Sequence, residues 1–260
     1  MKKLFLLLVT FAVLSSNMFS QGKTYLVFEF MKVDNKQELD YWDVERFWEN
    51  IHRQRIKNGE IIGWDMWSLK PGGNEQGYQY MTVSLYDNPV KMFEGDANFK
   101  AAVNAAYPNM SEAEFQDHLK KTHSSRDLSV RLYLELLNET VGNYEMDISS
   151  IAQIDFMKAV DGAAYEAAEI ETFLPMHQKA VDFELKEKWS LSRIMSPTGS
   201  ETFASHITVN MFLGFDQLFK SPPEKFNENL SEEAIDKIKA GLQTRDLKWT
   251  YIATLLRKVR

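Results

Sequence analysis

The sequence predicts an α+β fold of two similar halves, each running strand, helix, strand, strand, helix, strand. Three observations predict it. First, short motifs recur in the same order: Phe30-Met31-Lys32 returns as Phe156-Met157-Lys158, His52 as His177, Trp64 as Trp189, Thr82-Val83 as Thr208-Val209, and Arg126-Asp127-Leu128 as Arg245-Asp246-Leu247. The offset is 126 residues at the first strand, 125 through the first helix, 126 again, and 119 at the end. A period this long marks a small domain, not a stacking repeat. Second, each half alternates aromatic and β-branched runs with amphipathic stretches. Third, the stretch between the copies, Glu139 to Asp147, is short and polar.

In the first half, Tyr25 to Val33 is rich in aromatic and β-branched residues and reads as a strand. Polar residues 34–38 lead into a helix whose apolar positions Leu39, Trp42, Phe47, Ile51 and Ile56 fall three to five apart. Asn58-Gly59 ends it, the glycine supplying a left-handed turn. Ile61 to Leu69 and Tyr78 to Tyr86 read as a hairpin around Pro71-Gly72-Gly73-Asn74. Pro89 to Phe93 opens a helical stretch that continues brokenly through Ala101 to Ala106. Ser111-Glu112-Ala113-Glu114 is a capping box for a helix running to about Lys121. Leu128 to Leu137 is the fourth strand. This split βαβ order puts four antiparallel strands in one sheet with helices on one side.

The second half repeats the pattern: strand Ile151 to Val160, helix Ala164 to Glu184, strands near Lys188 to Met195 and Phe203 to Leu213, and strand Leu247 to Leu256. A shorter insertion around Pro222-Pro223 to Asn229 accounts for the smaller final offset. The domains are therefore 21–143 and 144–260. Each sheet leaves one face bare, and packing the two against each other covers both.

Residues 1–20 stand apart. Lys2 and Lys3 precede an apolar run from Leu4 to Leu14 and a small, polar end through Ser20, the layout of a secretory signal peptide. The apolar run is well short of the roughly 18 residues a spanning helix needs. Cleavage is expected between Ser20 and Gln21. The chain has no cysteine, so neither lipidation at a cysteine nor a disulfide is available. A periplasmic or secreted, soluble protein is expected, held by its core alone. Removing residues 1–20 takes away two lysines and no acid, which moves the formal charge from −7 to −9. Such a surface repels nucleic acid and anionic membranes at long range.

The element order, the repetition, and an aromatic residue four positions before a histidine in each first helix (Trp48 before His52, Phe173 before His177) together resemble the dimeric α+β barrel superfamily. Its members include antibiotic-biosynthesis monooxygenases, EthD-like and NIPSNAP-like proteins and haem-handling relatives. The resemblance covers nearly all of residues 21–260. It implies two ferredoxin-like units pairing their sheets into a barrel, here within one chain as an intrachain pseudo-dimer. It also implies a range of chemistries: cofactor-free oxygenation, isomerisation, or haem binding.

His52 and His177 are the leading candidates for acid–base work or haem ligation, since an imidazole exchanges protons near neutrality. The structural alternative is that each packs its helix on the sheet. Glu29 and Asp155 sit mid-strand between apolar neighbours, where a carboxylate needs a partner. Oriented towards His52 and His177 they would form dyads that raise the imidazole pKa; otherwise they face a solvated barrel interior or an edge. Tyr80, Thr82 and Ser84, matched by His206, Thr208 and Asn210, form a polar strand face that lines either a ligand cavity or a wetted lumen. Trp64 and Trp189, with Trp48 and Phe173, suit an aromatic-walled pocket or a plain core. Lys32 and Lys158 either meet an anionic group or extend to the sheet edge. No metal motif is present: His118 and His123 are five apart, and there is no HExxH.

The expected function is binding of a small apolar molecule, with cofactor-independent oxygenation or proton transfer by His52 or His177 if the protein is an enzyme. The alternatives are an exported carrier or interaction module, and a haem-binding protein.

Overall fold

The computed structural model describes residues 22–34, 36–71, 77–95, 98–226 and 230–260. The expected signal segment lies outside them, as do residues 72–74 of the expected hairpin turn and residues 227–229 of the expected insertion. Eight strands form: β1 (Tyr25–Lys32), β2 (Gly63–Lys70), β3 (Tyr80–Tyr86), β4 (Asp127–Glu139), β5 (Ile151–Ala159), β6 (Lys188–Ser196), β7 (His206–Phe212) and β8 (Arg245–Val259). They close into one barrel in the order β1-β3-β2-β8-β5-β7-β6-β4.

Every pairing is antiparallel, and each half contributes four neighbouring strands in the same relative order, β4-β1-β3-β2 and β8-β5-β7-β6. The barrel closes at two seams. β2 pairs with β8 from Trp64↔Val259 to Lys70↔Ile252, and β4 pairs with β6 from Tyr133↔Ser196 to Glu139↔Ser190. The halves thus satisfy each other's edge strands, which would otherwise expose unpaired backbone groups.

Strand alternation divides the side chains cleanly. Phe28, Phe30, Met81, Val83, Leu132 and Leu134 point inward from one half and meet Ile154, Phe156, Ile207, Met211 and Leu255 from the other. Phe30 and Phe156 lie 5.8 Å apart between ring centroids, at the centre of this shared core. The lumen of an eight-stranded barrel is narrow enough for side chains to fill, and here they are apolar. This corrects the reading of a wetted lumen: Tyr80, Thr82 and Ser84 face outward, as do Glu29 and Asp155, towards the helical layer. Lys158 stays on the lumenal row but reaches the barrel end, where Nζ donates to the carbonyls of Gly199, Ser200 and Thr202.

The helices form the outer layer. In the first half these are α1 (Glu38–Lys57), α2 (Pro89–Glu94), α3 (Phe99–Ala106) and α4 (Glu112–Ser125). α1 buries Tyr41, Val44, Glu45, Phe47, Ile51 and Arg55. Leu39 is exposed, contrary to the expected stripe, because a helix turning 100° per residue carries it away from Tyr41 and Val44. Gly59 ends α1 at φ +69°, the left-handed turn its sequence predicts. The capping box at Ser111 forms with both hydrogen bonds, and α4 runs on to Ser125.

In the second half, α5 (Gly162–Ala168), a π-helical turn (Glu169–Phe173) and α6 (Leu174–Asp182) make one continuous rod. α7 (Phe215–Leu218), a 3₁₀ turn (Glu224–Phe226) and α8 (Glu232–Leu242) follow. The π turn has an arithmetic cause. Tyr41 and Glu45 correspond to Tyr165 and Glu169 at a spacing of 124, whereas Trp48 and His52 correspond to Phe173 and His177 at 125. One extra residue enters the helix there, and a wider turn absorbs it.

Because one core serves both halves, Phe30→Ala should destabilise the whole chain by about 3–5 kcal/mol. Urea unfolding followed by tryptophan fluorescence and by far-UV circular dichroism should still give one coincident transition. Two separated transitions would show independent cores.

Candidate functional site

The outward face of each half-sheet and its first helix enclose a cleft. The N-terminal one is a cavity of about 460 Å³, walled by Trp48, Trp64, Phe93 and Phe99 and carrying Glu29, Glu45, His52, Arg55, Thr82, Ser84, Arg126 and Arg131. The C-terminal one is about 260 Å³ and carries Asp155, Glu169, His177, Lys186, Trp189, Thr208, Asn210 and Arg245. The structure therefore brings His52, Glu29, Trp48 and Trp64 together, and separately His177, Asp155 and Trp189.

His52 projects from the fourth turn of α1 onto β2, where its ring stacks on Trp64 with centroids 4.9 Å apart. Trp48, one turn earlier, lies 6.3 Å away. His177 stacks on Trp189 at 4.5 Å in the same manner. The strand tryptophan, not the helical aromatic residue, is thus the main ring partner of each imidazole.

Each imidazole also meets a cation through the same nitrogen. Arg55, one turn further along α1, donates to Nδ1 of His52 at 3.0 Å. Lys186, in the loop before β6, places Nζ 3.2 Å from Nδ1 of His177. A guanidinium only donates, so Nδ1 of His52 must carry the lone pair and Nε2 the proton. The ammonium form of Lys186 sets the same tautomer at His177. Burial, reinforced by Arg55, pushes the His52 pKa well below its usual range. Burial, with Lys186 and Arg245, pushes that of His177 down to about 3. Both rings are neutral Nε2–H donors at physiological pH.

Of the two readings open for Glu29 and Asp155, the acid–histidine dyad does not form in either half. Glu29 is held by Arg131 of β4, whose Nε donates at 2.8 Å, with Thr82 Oγ1 at 3.3 Å. Asp155 accepts from Thr250 Oγ1 at 2.7 Å and Gln153 Nε2 at 3.0 Å. Burial raises the Asp155 pKa against the lowering effect of these bonds. Neighbouring strands reach the carboxylates first, which sequence spacing does not reveal, and the histidine pKa values move down, not up.

Tyr80, His206 and Phe173 lie outside the cavity walls. Tyr80 packs under Tyr41, donates to Glu38, and has its phenol pushed up to about 12, mainly by burial. His206 Nε2 lies 3.0 Å from Glu166, which Arg193 also holds. Burial lowers the His206 pKa, against the raising effect of Glu166. Phe173 sits beneath Arg245 and against Gly241, where a Cβ would come within 2.7 Å of its ring. The π turn delivers it there while its counterpart Trp48 stays in the wall.

A repeated group escaped the sequence reading. Glu45 pairs with Arg126, whose guanidinium lies over Tyr41, and Glu169 pairs with Arg245 at 3.4 Å, over Tyr165. The recurring Arg-Asp-Leu motif was its signal in sequence. Both carboxylates are buried, both arginines half-buried, and the pairs edge their cavities.

No family model matches the sequence, and no curated protein matches it. Solved structures do. A candidate monooxygenase from Fusobacterium nucleatum aligns at TM-score 0.52 and 10% identity over 91% of this chain and 93% of its own. A second candidate monooxygenase, from Lactobacillus acidophilus, aligns at 0.51 and 7% over 92% and 96%. A heme-binding protein from Thermus thermophilus aligns at 0.51 and 6% over 90% and 92%. These neighbours belong to the dimeric α+β barrel superfamily. At such identities the likeness establishes the fold alone. Among the described residues, no helix is long and apolar enough to cross a membrane, and no cluster of three metal-ligating side chains occurs.

Haem fits this donor set poorly. Axial ligation needs a bare imidazole nitrogen, but Nδ1 faces a cation in each half and Nε2 carries the proton. Turning the proton onto Nδ1 of His52 would aim it at the Arg55 guanidinium.

A neutral buried histidine also makes stability pH-dependent. The unfolded chain takes up the His177 proton near pH 6.5, the folded one only near pH 3. Stability should therefore fall as pH drops below about 6.5, by up to about 1.4 kcal/mol per pH unit for each such imidazole. The urea midpoint measured at pH 7.5 and pH 5 should show this, and His177→Gln should flatten the dependence. An unchanged slope in that variant would mean that His177 is already protonated at pH 5.

Proposed function

We propose that this chain is an exported, small-molecule-binding barrel built from two tandem ferredoxin-like units, with its principal site in the N-terminal cavity. Support for the tandem arrangement comes from the repeated motifs and the matching strand order of the halves. Support for export comes from residues 1–20. Purified from an exporting bacterial host, the protein should begin at Gln21 by intact mass and N-terminal sequencing. A full-length cytoplasmic product would remove this part of the reading.

The ligand is a flat aromatic molecule carrying at least one oxygen acceptor. The single observation behind this is His52 itself: stacked on Trp64, locked as an Nε2–H donor by Arg55, and lining a cavity with aromatic walls. Trp48 and Phe99 stack at 5.8 Å and extend that flat surface. The cavity also carries paired charges, so a purely apolar ligand would leave its polar groups without partners. Its volume lies within the usual range for a small-molecule site.

If the ligand is turned over, His52 is an electrophile and not the base. A neutral Nε2–H directed at a carbonyl or phenolic oxygen stabilises the negative charge that builds there when a neighbouring C–H loses its proton. Such an anion is the species that cofactor-independent oxygenation requires. Between monooxygenase and haem binding, the descriptions carried by the three neighbours above, the donor set favours the first.

Titration with a dihydroxyanthraquinone should quench tryptophan fluorescence. His52→Phe keeps a ring on Trp64 and removes the donor, so affinity should fall by about 3- to 10-fold, the worth of one neutral hydrogen bond. Circular dichroism confirms that the variant is folded. Equal affinity in wild type and variant would refute the donor role.

A further inference from the structure

The C-terminal cavity is not a smaller copy of the N-terminal one. Lys186 has entered it from the loop before β6, where the first half carries Ile61, while the arginine position on the helix, Arg55, is matched by Ala180. The cation that contacts the imidazole is therefore supplied from a different element and is a different chemical group. A guanidinium stays charged, whereas an amine can lose its proton and become a nucleophile.

The surroundings of Nζ favour that loss. Its two hydrogen-bond partners carry no charge: Oδ1 of Asn210, and Nδ1 of His177 at 3.2 Å, which accepts while that ring holds its proton on Nε2. Among the described residues Lys186 makes no ion pair: Asp155 of β5 is engaged by Thr250, Gln153 and Asn210, and Glu169 of the helix is paired with Arg245 of β8. A neutral amine has two N–H groups, and two acceptors are present to take them. Its lone pair is then left without a protein partner in a cavity that Lys186 lines. An ammonium in the same place would turn its third N–H into the cavity, away from any protein acceptor that holds Nζ among the described residues. Consistent with this, burial lowers the Lys186 pKa to about 8, with Asp155 opposing the shift.

The geometry points to Lys186 as a nucleophilic amine that condenses with a small aldehyde or oxo acid in the C-terminal cavity, a site separate from the one around His52. The amine lone pair attacks the carbonyl carbon, the displaced π pair moves onto oxygen, and one proton passes from the nitrogen to that oxygen to give a carbinolamine. That oxygen takes a second proton from solvent and leaves as water while the nitrogen pair forms the C=N bond, so a protonated imine remains on Lys186. No oxidant or reductant is consumed. The volume of about 260 Å³ admits a molecule of only a few heavy atoms. His177 and Asn210 act as positioning residues, and the Trp189 ring fixes His177 from behind.

The test uses the intact protein. Glyoxylate and cyanoborohydride trap imines as stable carboxymethyl groups, and peptide mass spectrometry gives the rate at each lysine. At pH 7.5 Lys186 should be modified at least about tenfold faster than exposed Lys120 and Lys237, since far more of it is unprotonated. Its rate should level off above about pH 8, while theirs keep rising towards pH 10. Comparable rates at all three lysines, or a Lys186 rate that rises without levelling, would overturn the assignment. A folded Lys186→Arg variant should lose the fast site yet bind the dihydroxyanthraquinone as wild type does. That result separates failure of this site from failure of the His52 site.

Discussion

Closure of the barrel is the constraint on which everything else depends. Each four-stranded sheet has an apolar face and two edges, and neither half can satisfy these alone. Pairing β2 with β8 and β4 with β6 removes the edges in the same step that buries Phe30 against Phe156. Hydrogen bonding and apolar burial thus select the same arrangement, and a core residue in one half stabilises the other. An absence of cysteine is compatible with this, because one large shared core does the work that staples do in small exported domains.

Once the inward faces are committed to the core, alternation leaves the opposite faces to line the two clefts. Glu29, Thr82 and Trp64 in one half, and Asp155, Thr208 and Trp189 in the other, project towards the first helix of each half. The helix brings a histidine down onto the tryptophan and a cation secures its Nδ1. Burial of the ring and the nearby positive charge act in one direction, keeping the imidazole neutral. The result is a hydrogen-bond donor of fixed orientation, a different tool from the proton carrier that a histidine beside a carboxylate would make.

The halves share this plan and diverge in its execution. One extra residue in the second helix makes a π turn, which withdraws Phe173 from the cavity while Trp48 remains in place. The cavity shrinks, and the cation beside the imidazole changes from arginine to lysine. Small local edits of this kind alter what a cleft can hold without touching the lumen, since the helical layer and the core are separated by the sheet itself.

Much of the architecture was legible in the chain. Alternation located the strands, and Ser111 with Glu114 located a cap, because these signals are local and each is set by backbone periodicity or a nearby hydrogen bond. His52, His177, Trp64 and Trp189 stood out in the chain because they recur at matching places, and the fold stacks each histidine on its tryptophan. What lay across strands or between helix and sheet was not: that Arg131 would take Glu29, that Thr250 would take Asp155, that Arg126 would meet Glu45, or that Tyr80 and His206 would be drawn away from the cavities. Sequence determined which residues share a face. Only the tertiary fold decided which partner reached each of them first, because that depends on distances between segments 40 to 102 residues apart.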